Sequence, residues 1–394
     1  MNTEMGVEPQ PIHEPSNGSI LLSAPSIGPR EKAYVAQALS SGLISGDQAF
    51  TRRCHAWMEN VLGACKALLT TSGTHALEMA ALLAEVKPGD EVILPSFTFS
   101  STATAFVLRG ARLVFVDIRP DTMNLDENLI ESAITARTRV IVPMHYAGVS
   151  CEMDVIMAIA NKHGLRVIED AAHAILGTYK GRHLGTIGDF GCFSFHESKN
   201  LSAGEGGAIA IREGVHADRA EIVREKGTNR TQFFRGEVDK YTWKDIGSSY
   251  LPSELNAACL LAQFERAYEM NERRLQIWNR YLREFGDLAR KGEMELPVVP
   301  SGCQHNAHLF YIKVRDLATR TRLHGFLKEH GIRSAFHYVP LHSSPAGLRF
   351  GQFHGEDRFT TSGSERLLRL PLFADLRDAD QSRVCQAVND FFRL

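Results

Sequence analysis

The chain has 394 residues, 44% apolar and 23% charged, with 44 Lys+Arg against 46 Asp+Glu and a formal charge of −2. That composition excludes wholesale disorder, and the lack of a basic excess excludes bulk-charge binding of nucleic acid or anionic membrane. A chain of this length has room for two domains and a core that needs no disulfide or metal staple.

The first twenty residues (1–20) carry Glu4, Glu8 and Glu14 and no apolar stretch, so they read as a mobile tail and not as a secretory leader. Seven cysteines, at 54, 65, 151, 192, 259, 303 and 385, form no CxxC and no metal-ligand spacing. Scattered and odd in number, they read as reduced thiols of a cytoplasmic protein with no metal site. The longest weakly polar run, Val92 to Leu108, is too short for a membrane span and contains Pro95.

From 21 to 252, short β-branched runs alternate with helical patterns. The runs are EVILPSF (91–97), RLVFVDI (112–118), RVIVPMHY (139–146), RVIEDA (166–171), CFSF (192–195) and AIAI (208–211). HALEMAALLAEV (75–86) and MDVIMAIANKH (153–163) are among the helices between them. Near-continuous apolar strands joined by helices predict an α/β domain with a mostly parallel sheet covered on both faces. Pro95, Asp117, His145 and Asp170 then fall at the carboxyl edge, where such sheets bind ligands. From Ser253 onward (253–394) the pattern predicts one long connector helix with Leu255, Leu260, Phe264, Tyr268, Leu275, Trp278 and Leu282 near a common face. A smaller α+β domain follows: a strand at 309–314, a helix at 320–330, a strand at 333–341 and a terminal helix near 378–392.

The chain has no GxGxxG, no GxxxxGK[ST], no GxSxG and no HExxH, so nicotinamide, P-loop, serine-hydrolase and zincin chemistries lose their usual support. The informative stretch is GCFSFHESKNLSAGEGGAI (191–209), a strand running into a polar turn with Lys199 and then a glycine-rich segment. A lone loop lysine is ordinarily a solvated one. Two further pieces change its meaning. Asp170 ends an apolar strand, where a carboxylate needs a cationic partner. TTSGTHAL (70–77) opens a helix with hydroxyls and glycine, a ready anion site. Pyridoxal 5′-phosphate needs a lysine for its aldehyde carbon, an acid for its ring nitrogen, donors for its phosphate and a flat surface for its ring. Lys199, Asp170, the group Ser72, Gly73, Thr74 and Ser194, and Phe99 supply these in turn. Taken singly, Phe99 reads as core and Ser194 as an ordinary strand-end serine.

PGDEVILPSFTFSSTA (88–103), VIEDAAHA (167–174) and CFSFHESKNLSAGEGGA (192–208) resemble the DegT–StrS type of sugar-nucleotide aminotransferases, in the fold type I (aspartate-aminotransferase-like) class. The resemblance runs from Leu22 to the end of the chain. It implies a large domain that binds pyridoxal phosphate, a small C-terminal domain, and a homodimer with 227–249 at the interface. It also implies transfer of an amino group from L-glutamate to C4 of a 4-keto-6-deoxy hexose carried on dTDP. Further stretches support that narrower substrate: GDQAFTRRC (46–54), 106–127, 225–251 and FGQFHGEDRFTT (350–361).

By the same resemblance Lys199 is the cofactor lysine and Asp170 the ring-nitrogen partner. His173 lies by the ring hydroxyl, Phe99 stacks on the ring, and Gly73, Thr74 and Ser194 bind phosphate. In GSSYL (247–251) Ser249 stands where many relatives have an asparagine that reaches the neighbouring subunit's phosphate. His337 and His342, in FHYVPLH, and Arg230 are candidates for substrate contact, whereas His196 reads as support for the lysine loop. A 3-amino product, the gluco epimer at C4, and a sugar dehydratase remain alternatives, the last opposed by the presence of Lys199.

Overall fold

Strands that are apolar on both faces must be covered on both faces, and the computed structural model, which describes residues 18–393, meets that demand. Eight strands form one sheet in the order Lys66–Thr70, Gly207–Ile211, Phe190–Ser194, Arg166–Asp170, Thr138–Ile141, Glu91–Pro95, Arg112–Val116 and Gly351–Phe353. Every pairing is parallel except the two made by Gly207–Ile211. Successive residues go to opposite faces. Ile93, Val167, Ala67 and Leu69 join one apolar cluster with the helices Ala49–Leu62, Met153–His163 and Glu254–Phe264. Val92, Leu94, Ile168 and Leu68 join another with Gly73–Leu83, Ser100–Val107 and Ala217–Arg224.

The C-terminal part has its own antiparallel sheet, Met294–Glu295, Phe310–Val314 and Leu367–Leu370, and its own core with Trp278, Tyr281, Leu323 and Val384. Among the described residues no helix is long and apolar enough to cross a membrane.

The structure departs from the sequence expectations at four places. Residues 1–17 of the expected tail lie outside the described residues, but Ile20 is buried and bridges Ile332. Leu22 accepts a hydrogen bond from the Leu372 amide and Ser26 donates to Asp375, so this segment runs along the C-terminal part. The connector is three helices, Glu254–Phe264, Ala267–Glu284 and Gly286–Arg290. The break at 265–266 shifts the helical phase and leaves Tyr268 62% exposed while Trp278 enters the second core. At 333–341 there is no strand, only a bridge from Ala335 to Arg369. Pro340 has no N–H to give, and the Tyr338 carbonyl is taken by the Ser364 hydroxyl.

The fourth difference is the edge strand Gly351–Phe353, which the sequence reading missed and which joins the large sheet from the C-terminal part. Glycine is required at its start because a Cβ there would lie 2.7 Å from the Phe115 ring and 2.9 Å from the Leu113 carbonyl oxygen. Asp117, expected to face ligand, instead fastens this segment: its carboxylate accepts from the amides of Arg358, Phe359 and Thr360 and from the Thr360 hydroxyl.

Candidate active site

Lys199 lies in the connection between the antiparallel strands Phe190–Ser194 and Gly207–Ile211, at the carboxyl edge of the sheet. The loop is closed on itself by Phe195 N–H to the Gly206 carbonyl, 2.8 Å, and Ala203 N–H to the Phe195 carbonyl, 2.9 Å. His196 pairs its Nδ1 with the Ser198 hydroxyl at 2.9 Å, in keeping with loop support. Next to the lysine, Asn200 is buried and clamped from the C-terminal part. Its Nδ2 donates to the Asn306 carbonyl at 2.9 Å and its Oδ1 meets His308 Nδ1 at 2.8 Å.

Asp170, 4% exposed, ends the neighbouring strand. Its Oδ2 accepts from the Thr102 hydroxyl at 2.6 Å and its Oδ1 from the Ala172 amide at 3.1 Å, so the carboxylate plane is held from two sides. Glu169, one residue earlier, points away and serves the fold. It accepts from the amides of Gly185, Ile187 and Gly188 and pairs with His145 Nε2 at 2.8 Å. Burial works to raise its pKa, but these hydrogen bonds outweigh burial and hold it below the usual range. The second carboxyl-edge residue from the sequence, His145, is thereby spent on structure.

Burial lowers the Lys199 amine to a pKa of about 8; Asp170 opposes that shift and the charge of Arg369 adds to it. A neutral amine is the form that attacks an aldehyde. Below pH 8 its fraction climbs about tenfold per pH unit, whereas an ordinary lysine would continue climbing to about 10.4. The apoprotein is therefore expected to capture pyridoxal phosphate at a rate that rises from pH 6 and levels near pH 8, followed by absorbance. A rate still climbing at pH 10 contradicts the shift.

The phosphate candidates meet where the helix Gly73–Leu83 starts against the strand ends. A Cβ on Gly73 would lie 2.8 Å from Ser194 Cβ, and one on Gly207 would lie 2.3 Å from the Ser72 carbonyl carbon. Two glycines thus let Ser72, Gly73 and Ser194 approach more closely than side chains allow. Ser72 caps the helix, accepting from the His75 amide, and the Thr74 hydroxyl meets Ser101 Oγ at 2.7 Å. Backbone N–H groups at such a helix start favour an anion.

His173 stacks on His308 with ring centroids 4.0 Å apart. Burial, reinforced by His308, Lys199, His337 and Arg369, holds His173 neutral well below the ordinary histidine pKa. Its buried Nδ1 has no partner among the described residues, which is the vacancy a ring hydroxyl would fill. Phe99 is 59% exposed at the start of the helix Ser100–Val107, 6.3 Å from Tyr338, so the core reading fails for it; Phe97 is the buried aromatic of that pair. An open aromatic face, an orphaned imidazole nitrogen, a lysine of lowered pKa and a glycine-lined helix start together fit pyridoxal phosphate.

The remaining candidates divide. His337 lies beside His173, with ring centroids 6.3 Å apart; it stacks on Tyr338 at 4.0 Å and its Nδ1 lies 3.2 Å from the Tyr146 hydroxyl. His342 has both ring nitrogens engaged, with Ser96 Oγ at 2.8 Å and Asp357 at 3.3 Å, and so holds a loop. Ser249 and Arg230 are not brought to Lys199 within the chain. They line a separate cavity of about 830 Å³ with Asp47, Arg52 and Arg224. Among the described residues no cluster suited to a metal ion is present. The sequence reading missed Thr102, Asn200, Asn306, His308 and Arg369. The polar run QHNAH (304–308) directly before an apolar strand was the only local signal for two of them.

Comparison with known proteins gives a consistent picture. The model of the DegT/DnrJ/EryC1/StrS aminotransferase family matches residues 25–389. The chain is 35% identical over 388 residues to the spore coat polysaccharide biosynthesis protein SpsC of Bacillus subtilis (strain 168), covering 96% of this chain and 98% of that one. Among solved structures it is similar to the aminotransferase TlmJ from Streptoalloteichus hindustanus, at 28% identity and a TM-score of 0.88, covering 95% of this chain and 99% of TlmJ. It is also similar to Spr1654 from Streptococcus pneumoniae, described as a sugar aminotransferase, at 26% identity. The PMP-form of Spr1654 has a TM-score of 0.87 and the PLP-form 0.85, each covering 95% of this chain and 99% of the other.

Proposed function

The chain belongs to the DegT/DnrJ/EryC1/StrS aminotransferase family, with pyridoxal phosphate as its cofactor, and from that premise we propose that it is a dTDP-4-amino-4,6-dideoxygalactose transaminase of the type that serves enterobacterial common antigen. In this reading it moves the amino group of L-glutamate to C4 of dTDP-4-keto-6-deoxyglucose. The observation that carries the chemistry is the convergence of Lys199, Asp170 and the Ser72–Thr74 helix start on one sheet edge. The long stretches at 46–54, 106–127, 225–251 and 350–361 support the choice of sugar.

When bound, the cofactor draws electrons from the carbon that bears the amino group, which makes the proton there removable. Lys199 takes that proton at the α-carbon of glutamate, and in the reverse sense delivers one to C4 of the sugar. A pKa near 8 suits both duties near neutral pH. Asp170, held by Thr102 and the Ala172 amide, keeps a proton on the ring nitrogen. His173 donates or accepts at the ring hydroxyl through its free Nδ1. Ser72, Gly73, Thr74 and Ser194 hold the phosphate, and Phe99 covers one ring face.

The active form in this proposal is a homodimer in which Ser249 and Arg230 complete the partner's site. The exposure of Phe234 (69%), Tyr241 and Trp243 (78%) on the 227–249 segment supports a covered surface there. Light scattering at the mass of a single chain would overturn the dimer.

The substrate is tested by incubating the loaded protein with L-glutamate and dTDP-4-keto-6-deoxyglucose and assigning the product by NMR. An axial amine at C4 is expected. An equatorial amine would move the protein to the gluco branch, and an amine at C3 or a lost hydroxyl without nitrogen would replace the reading altogether.

A further inference from the structure

Three consecutive residues of the C-terminal part, Asn306, Ala307 and His308, are held in a shape that their own sequence does not favour. Ala307 is buried with φ +48°, a conformation costly for any residue that has a Cβ. The buried Arg274 secures it, donating from Nε to the Ala307 carbonyl at 3.1 Å and from Nη2 to the His308 carbonyl at 2.6 Å. Asn306 fits only because residue 148 is glycine, where a Cβ would lie 1.9 Å from Asn306 Oδ1. Its Nδ2 donates to the carbonyls of His173 and Ile175, both at 2.8 Å, and its Oδ1 accepts from the His308 amide at 3.0 Å.

This shape presents His308 to two parts of the active site. Its ring stacks on His173, 26° from parallel, and its Nδ1 meets Asn200, the residue after Lys199. The neighbours fix where the hydrogens of that contact lie. A carbonyl only accepts, so Asn200 turns its NH2 to the Asn306 carbonyl and its oxygen to His308. His308 Nδ1 therefore carries the hydrogen and donates. Burial, reinforced by Lys199, Arg274, Arg369 and His337, holds the ring neutral well below the ordinary histidine pKa, so it serves as a fixed support and not as a base.

We propose that His308 is a positioning residue for the reaction: through Asn200 it fixes the loop that carries Lys199, and by stacking it fixes the ring of His173. The proposal rests on the transaminase reading above. A joint that only packed the two parts together could be apolar, because an apolar pair of the same shape leaves no buried donor or acceptor to satisfy. Here a strained alanine, a glycine and an arginine are all committed to aiming one imidazole, and every polar group between Lys199 and the C-terminal part is paired in one direction only.

The test uses Asn200→Ala, His308→Phe, their double variant and His308→Asn. Phenylalanine keeps a ring on His173 without a donor for Asn200, whereas asparagine places a donor near the position of Nδ1 without the stack. Two readouts need no sugar: the pH profile of pyridoxal phosphate capture by the apoprotein, and single-turnover conversion of the loaded protein by L-glutamate. Displacing a reacting group by about 1 Å costs up to ~100-fold, so Asn200→Ala and His308→Phe are each expected to slow conversion about 10- to 100-fold, with glutamate affinity within about threefold. A loosened loop admits water to Lys199, so capture should level above about pH 9 instead of near pH 8. Both changes break the same contact, so the double variant should lose no more than the slower single one. His308→Asn should recover most of the conversion lost in His308→Phe.

Wild-type conversion and capture in Asn200→Ala would overturn the proposal, even with a lowered unfolding temperature, because the clamp would then be structural only. A double variant whose loss is the product of the two single losses would overturn it as well. Asn200→Ala decides alone if His308→Phe fails to fold. A wild type that reacts with glutamate but aminates no sugar sinks the substrate reading instead, and both readouts still decide His308.

Discussion

Lys199→Met is expected to fold, to retain the Ser72–Thr74 phosphate site, and to lose transamination by at least ~10³-fold, because acid–base transfer and attachment of the cofactor both leave with the amine. Lys199→Arg should be equally inactive. A guanidinium holds its proton at every working pH, so charge alone does not restore transfer at the α-carbon. Single-turnover mixing with glutamate, followed by absorbance, reads the step directly, and near-wild-type conversion by either variant would remove Lys199 from the mechanism.

The same substitution carries a stability prediction of opposite sign. The folded amine has a pKa of about 8, below its unfolded value, so the folded state binds fewer protons between those two values and stability rises with pH through that window. At pH 7 the wild-type apoprotein carries the full cost of burying the charge. Lys199→Met removes that cost and should stabilise the apoprotein on the order of 2 kcal/mol, visible as a higher unfolding temperature. A lysine that destabilises its own fold is what a site kept for function rather than packing would show.

Asp170→Asn is expected to bind the cofactor yet lose about 10²–10³ in rate, the range typical of removing one preorganised electrostatic contact. The amide has nearly the shape of the carboxylate and retains an acceptor for the Thr102 hydroxyl or the Ala172 amide, so packing changes little. What it cannot do is hold a proton on the ring nitrogen. A cofactor analogue methylated at that nitrogen carries the positive charge permanently and should restore much of the lost rate. Rescue by the analogue separates an electrostatic role from a structural one. A variant running at wild-type rate would make Asp170 structural, and a slow variant with no rescue would point to a disturbed site.

The sequence signals that single out these two residues are local. Lys199 follows an apolar strand and precedes glycines, and Asp170 ends a run that should be wholly apolar. Arg369 was not legible. Within RLLRLPLF it resembles an exposed strand charge, and only the packing of Leu368 and Leu370 into the C-terminal core turns it toward the cleft. Phe97 and Phe99 look alike in PSFTFSST, and burial separates them: the first is in the core and the second is open. The polar residues predicted for the carboxyl edge divided in the same way. The Asp170 charge is felt by Lys199, whereas Asp117 and His145 are saturated by the 358–360 amides and by Glu169.

The sequence by itself determined the alternating strands and helices, the mostly parallel sheet and the carboxyl edge on which Asp170 and the other strand-end polar residues would fall. Each follows from the periodicity of a few neighbouring residues and from where an apolar run stops. Tertiary structure alone decided which polar side chains were free for chemistry. That depends on partners far away in the chain, such as Asn306 gripping Asn200 across 106 residues and Thr360 claiming Asp117 across 243. A side chain's vacancy is the absence of such a partner, and no local pattern records it.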